Sequence, residues 1–193
     1  MTVPPRLVGN DVVDLEDPAN AGAHLRPRFV RRVLGPAEQA ALAASCGPLA
    51  CLWGFFAAKE AAYKVLAKLG PPPPLAHRRF EVAADLGAVR HGEVVLGLRV
   101  VVEAGFVHAV AWLGGPPPES AVRALGPGEE PGAAARALLL ERLGAGPGVE
   151  IVRAPRPGSW DGRGPPRAVR AGAWLGMDVS LSRDGRQVAC AHG

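Results

Sequence analysis

Apolar and polar positions alternate from Leu7 to Leu15, which predicts a β-strand carrying Leu7, Gly9, Asp11, Val13 and Leu15 on one face. Asp11 therefore shares a face with apolar neighbours. From Leu52 to Leu66 the pattern is helical, and at about 100° per residue the nearest angular neighbours of Glu60 are Trp53, Phe56, Ala57, Tyr63, Lys64 and Ala67. An unpaired carboxylate buried on such an aromatic and small-residue stripe costs several kcal/mol, so it calls for a cation, a metal or a raised pKa. The simpler alternative is a stripe that borders solvent, with Glu60 paired to Lys64 one turn on.

The other elements follow from the same periodicities. A helical segment runs from Pro27 to Ala44, broken near Gly35-Pro36, with Arg28, Arg31 and Arg32 near its start. The Glu60 helix ends at Gly70, before a run of prolines. Strand patterns cover 79–84, 93–103 and 106–113, the last two joined as a hairpin near Gly105. Residues 114–131 read as a Gly/Pro-rich connector dividing a lobe at 1–113 from a second lobe at 132–193. Within the second lobe a helix covers Pro131 to Leu143, strands at 149–154 and 167–170 flank a loop with Trp160, and a hairpin of 177–182 and 187–191 turns at Asp184-Gly185. The order predicts an α+β fold, an antiparallel sheet with packed helices.

Composition narrows the class. With 193 residues, 48% hydrophobic and 21% charged, the chain is globular and large enough for one sizeable core or two small ones. Its 25 glycines and 20 prolines cluster in loops, and no internal repeat is visible in the sequence. Cys46, Cys51 and Cys190 have no metal-type spacing and suggest no disulfide framework, which fits a reducing cytoplasm. No apolar run marks a signal peptide at Met1–Arg6 or a membrane span elsewhere. A net charge of +4 admits acidic proteins, phosphorylated small molecules or nucleic acid as partners. Aromatics at 5%, not interleaved with the basic residues, give stacking on single strands little support.

If the helix packs on the strand, Asp11 and Glu60 become two hard oxygen ligands of the kind that suit Mg²⁺. Lys59 and Lys64 flank Glu60 and offer ammonium groups to a phosphate, a combination that points to phosphoryl-type chemistry. Ser180, Ser182 and Asp178 form a polar face leading to Arg183, and hydroxyls with a guanidinium also bind phosphate.

Gly9-Asn10-Asp11-Val12-Val13-Asp14-Leu15, then Arg28-Phe29, Glu38, Trp53 and Ala58-Lys59-Glu60-Ala61-Ala62-Tyr63-Lys64, resemble the paired signatures of the 4'-phosphopantetheinyl transferases. Gly164-Pro165-Pro166 and Val179-Ser180-Leu181-Ser182-Arg183 are similar to that family's G-x-P loop and S-x-S-H hairpin. The resemblance implies transfer of 4'-phosphopantetheine from coenzyme A to a serine of an acyl or peptidyl carrier protein. It implies Mg²⁺ held by Asp11 and Glu60, with Lys64 and Lys59 at the transferring phosphate. Pro166, Ser180, Ser182 and Arg183 would meet coenzyme A, and Glu60 or a water on the metal would take the serine proton. Arg28, Arg31 and Arg32 would dock an acidic carrier-protein helix. Such carriers serve fatty-acid, polyketide and nonribosomal-peptide synthesis.

The chain departs from the family pattern in two respects. Arg183 stands where histidine is usual. The motif order, G-x-D strand first and S-x-S hairpin last, is that of the short trimeric holo-acyl-carrier-protein synthases, although the chain is long for that type. The expectation is a monomeric, two-lobed pseudo-dimer. Two rivals are a non-catalytic coenzyme-A- or carrier-binding homologue and a basic nucleic-acid-binding domain.

Overall fold

The computed structural model describes residues 6–71, 73–74, 76–159 and 162–193. The segment Met1–Pro5, read above for a signal peptide, and Trp160, assigned to a loop, lie outside the described residues. Strand β1 spans Leu7–Asp14. Helices α1 (Pro27–Val33), α2 (Pro36–Ala44) and α3 (Pro48–Leu69) follow, each with proline in its first turn, where the missing N–H would have had no partner. The break at Gly35-Pro36 separates α1 from α2 as the pattern predicts. There the Glu38 carboxylate folds back to accept from the Gly35 N–H at 2.7 Å.

Strands β2 (Glu81–Val82), β3 (Ala88–His91), β4 (Val94–Val102) and β5 (Phe106–Leu113) complete a sheet in the order β1-β5-β4-β3-β2. Then come β6 (Glu119–Ala124), α4 (Pro131–Arg142), β7 (Val149–Val152), β8 (Arg167–Arg170), β9 (Ala173–Asp184) and β10 (Gln187–His192), with strand order β6-β10-β9-β8-β7. All pairings are antiparallel. The fold is α+β, as expected.

Strand β6 falls inside the stretch read as a connector. Glu119-Ser120-Ala121-Val122-Arg123-Ala124 has weak strand propensity, and its extended form comes from pairing along β10. Strand β3 was likewise not read as a strand.

The two sheets reveal a duplication that no repeat in the sequence announces. Each lobe is a strand, a helical segment (α1 to α3 in the first lobe, α4 in the second) and four further strands, the last of which returns beside the first. Each lobe also has its own core. In the first, Ala57, Ala58, Ala61, Ala62 and Val65 of α3 are wholly buried. In the second, Leu138 and Leu139 of α4 pack on Val179, Val188 and Cys190. The lobes meet where Val8, Val110 and Ala191 form a small buried cluster. Registers around that cluster correspond: Asn10 and Arg99 both pair with Val110, while Ser120 and Ser180 both pair with Ala191. The row Asn10–Val110–Arg99 of the first lobe thus matches Ser120–Ala191–Ser180 of the second.

Candidate active site

The seam between the lobes is built on the free edge of β1. Its other edge pairs with β5, so the N–H groups of Val8, Asn10, Val12 and Asp14 need partners elsewhere. Side chains of β9 at the same period of two accept them: Asp178 at 2.7 Å, Ser180 at 3.0 Å, Ser182 at 2.7 Å and Asp184 at 2.9 Å. Carbonyls on the same edge go to α3, with Lys68 Nζ donating to Val8 O and Lys64 Nζ to Asn10 O at 2.7 Å. Lys68 also pairs with Asp178 at 2.7 Å, and burial lowers its pKa against that pairing.

Close approach of β1 to α3 depends on Gly9. A Cβ there would lie 2.1 Å from the Ala61 carbonyl oxygen, so any side chain would force the strand off the helix. With the two in contact, Asp11 on the strand meets Lys64 on the helix, Oδ1 to Nζ at 2.8 Å. Glu60 and Lys64 do not form the one-turn helix pair. Instead Glu60 Oε1 lies 2.7 Å from His77 Nε2, and the His77 ring stacks on Phe56 at 4.9 Å. Trp53, Phe56 and Phe29 complete an aromatic cluster. The carboxylates are not sealed off: the Asp11 and Glu60 side chains are 16% and 18% exposed.

The Asp11 carboxyl is raised to about 6: burial pushes it up most, Lys64 pulls it down, and the charges of Glu60 and Asp184 add to the rise. Even with an ammonium at 2.8 Å, burial holds the Asp11 carboxyl above its ordinary range. Two partly open carboxylates side by side fit a hard divalent cation, and Mg²⁺ needs only one or two protein carboxylates if water and phosphate oxygens supply the rest. Among the described residues there is no cluster of three or more His, Cys, Asp or Glu side chains placed to hold a metal, so an all-protein cage is not formed.

Several expected site residues are placed differently. Lys59, expected beside a phosphate, is wholly buried in the first lobe's core and pairs with Glu38 at 2.5 Å while donating to Val33 O at 2.8 Å. A residue next to Glu60 on a helix points about 100° away, and here that direction is the core. Burial lowers the Lys59 pKa, opposed by Glu38. Glu38 itself also accepts from the Val82 N–H at 3.1 Å, so this pair ties α2, α3 and β2 together.

Arg183 is separated from the serines by the strand's alternation. Ser180 and Ser182 face β1 and are buried, whereas Arg183 faces α4, is 59% exposed, and lies 3.4 Å from Glu130. The expected line of two serines and Arg183 on one phosphate is therefore not assembled. The two serine oxygens serve β1. Pro166 is half-buried just ahead of β8. In that loop Gly164 N–H donates to Ala154 O at 2.7 Å, and Arg156 reaches across to Ala67 O at 2.6 Å at the end of α3. Arg28, Arg31 and Arg32 are exposed on α1, with the Arg32 guanidinium 5.5 Å from the centre of the Phe29 ring.

His77 and Asn10 were not among the candidates. His77 stands alone in a Pro-rich stretch, so no periodicity places it on Glu60. Asn10 is fully buried with its Nδ2 3.2 Å from His108 Nε2, and burial, with Arg99 and Lys64 adding to it, lowers the His108 pKa to about 4. Asn10 sits inside the quoted G-x-D motif as its unspecified middle residue, which left it unremarked.

Comparison with known proteins gives two findings. Residues 7–88, which include Asp11, Glu60, Lys64 and His77, match the model of the 4'-phosphopantetheinyl transferase superfamily. A solved structure, the holo-[acyl-carrier-protein] synthase of Thermotoga maritima, aligns over 87% of this chain and 84% of its own at 18% identity with a TM-score of 0.42. No curated protein matches the chain at a significant level. The G-x-D and KEAxxK parts of the motif resemblance fall inside the matched segment, and Gly164–Pro166 and Val179–Arg183 lie outside it.

Proposed function

We propose that this protein transfers 4'-phosphopantetheine from coenzyme A to a serine hydroxyl of an acidic carrier protein, with Mg²⁺ held by Asp11 and Glu60. The observation that carries this reading is the meeting of Asp11 with Lys64, 53 residues apart in the chain, beside Glu60 and within the segment that matches the transferase family model. The ion would draw charge from the phosphate oxygens and make the phosphorus a better electrophile.

The protein's own groups do the rest. Lys64 leans over the same oxygens from α3 and meets the negative charge that grows as the bond breaks. Glu60, oriented at Oε1 by His77, is the carboxylate placed to take the proton of the attacking serine. The serine oxygen–phosphorus bond forms, the bond from phosphorus to the departing adenosine 3',5'-bisphosphate breaks, and the proton ends on Glu60. His77 belongs to the short turn His77–Arg79 that packs against α1, the helix that carries the exposed Arg28, Arg31 and Arg32. A basic surface adjoining the carboxylates suits an acidic carrier helix presenting its serine.

Both halves of the seam come from one chain, which favours a monomer in solution. Purified protein with coenzyme A and Mg²⁺ should add the phosphopantetheine mass to an apo carrier protein, and a chelator should stop the addition. No mass shift across apo carriers from fatty-acid, polyketide and peptide synthesis would overturn the reading. An obligate trimer on size-exclusion chromatography would overturn the monomer.

A further inference from the structure

The duplication implies a counterpart to the candidate site on the other side of the seam. Asp11 pairs with Ala109, one step along from the row Asn10–Val110, and the corresponding step in the second lobe pairs Ala121 with Cys190. The counterpart of Asp11 is therefore Ala121, and no carboxylate occupies that place. The counterpart of Ser180 is Arg99. Whereas Ser180 accepts from the Asn10 N–H, Arg99 Nη2 donates to Ser120 Oγ at 3.0 Å and Pro118 O at 3.1 Å. A guanidinium is too long to let β6 close on β4 as β1 closes on β9, and a groove of about 380 Å³ remains.

Its walls are basic. Arg99 comes from the first lobe, Arg142 from the end of α4, and His192 from the end of β10, with Ser120 and Glu119 between them. His192 Nε2 is buried and makes no hydrogen bond, an uncommon state for a buried ring nitrogen. What lies over it is the Glu119 carboxylate, 3.6 Å away on a side chain that is 81% exposed. That contact is too long for a hydrogen bond and the side chain is free to swing aside. Arg142 in the last turn of α4 is accounted for by the negative helix end. Arg99 spends Nη2 on Ser120 and Pro118, whereas the histidine on the same groove has no hydrogen bond at Nε2 to account for it.

We propose that this groove binds a phosphate-class oxyanion, which displaces Glu119 and accepts from Arg99, Arg142 and His192. The fork of a guanidinium matches a tetrahedral oxyanion, and two of them with a ring N–H satisfy three of its oxygens. With alanine in the place of Asp11, the groove takes the anion without a metal.

The test is an NMR titration of the full-length protein, following the His192 ring, with inorganic phosphate and, separately, glucose 6-phosphate at constant ionic strength and pH. A saturable shift of His192 is expected, weakened at least five-fold in Arg142→Gln and strengthened about two-fold in Glu119→Gln. Tighter binding of the ester would place the phosphate on an organic ligand, while equal binding would identify the free anion, and both support the site. A shift that does not saturate, one that chloride reproduces, or an affinity unchanged in Arg142→Gln would overturn it. The readout does not involve transfer, so this inference and the transferase reading succeed or fail separately.

Discussion

The two sides of the interlobe seam are the same construction with different side chains. On one side β1 lies against β9, and serines and aspartates take up its amides at 2.7–3.0 Å. On the other, a single arginine holds β6 at Ser120 and Pro118, and the strands stay apart. Short acceptors draw the edges together and sink the polar groups between them, whereas a long donor keeps them separate and leaves a basic groove. Only the closed side brings Asp11, Glu60 and Lys64 together. A duplicated architecture can thus divide its two equivalent places by the length and sign of the side chains that face the opposing strand.

The comparison breaks most directly at Glu60. Glu60→Gln keeps the shape and the His77 contact but removes the negative charge and, on the proposed mechanism, the base. Transfer rates should fall by about 10³-fold or more, on the order of 4 kcal/mol in the transition state. Unchanged circular dichroism and Tm would confirm that the loss is chemical, and a residual rate near wild type would remove Glu60 from the reaction.

Next in size is Lys59, which borders Glu60 in the chain and has no part in the seam. Lys59→Met leaves the Glu38 carboxylate buried without its cation, so chemical denaturation should show a loss of about 3–5 kcal/mol. A loss below 1 kcal/mol would mean that the amides of Gly35 and Val82 suffice for Glu38.

His108 tests the closed side through pH. Its folded pKa of about 4 is below its ordinary 6.5. Between those values the unfolded chain binds a proton that the folded chain does not, so this contribution is present above pH 6.5 and is lost as the pH falls toward 4. The full effect is about 3 kcal/mol. Asp11 has the opposite sign, since its raised pKa costs stability as the pH rises from about 4 to 6. Urea denaturation of wild type and His108→Gln across pH 4–7 separates the two, because Asp11 is common to both proteins. Parallel stability curves for the two would refute the assignment to His108.

The smallest effect sharpens the contrast itself. Ser182→Ala strands the buried Val12 N–H and should cost about 1–3 kcal/mol, whereas Ser120→Ala removes one exposed contact to Arg99 and should cost less than about 1 kcal/mol. Equal losses in denaturation would show that the two sides of the seam are not energetically distinct.

Much of this was legible before any coordinates. The alternation at Leu7–Leu15 placed Asp11 toward α3, the helical period placed Glu60 on the Trp53–Phe56 stripe, and Asp184-Gly185 marked the last turn. A Cβ on Gly185 would fall 2.5 Å from Asp14 Oδ2, so glycine is required there by packing as well as by its positive φ. Strand β6 was not legible, because a weak strand former becomes extended only when β10 offers it an edge. The burial of Lys59 has a similar origin: a lysine beside Glu60 reads as surface chemistry until α2 brings Glu38 over it. Arg183 followed the serines in the chain, but alternation sent it to the opposite face.

By itself the sequence determined most of the strands and helices, β3 and β6 apart, because period, proline and glycine act locally. It also carried the resemblance to the transferase motifs and the two carboxylates within it, since these are matters of residue type and spacing. Only the tertiary structure decided which lysine meets which carboxylate, that the serines serve β1, that His77 holds Glu60, and that the fold is doubled with one open side. Those outcomes rest on hydrogen bonds between groups as far as 170 residues apart, and partners that distant are chosen by the packing of whole sheets and helices.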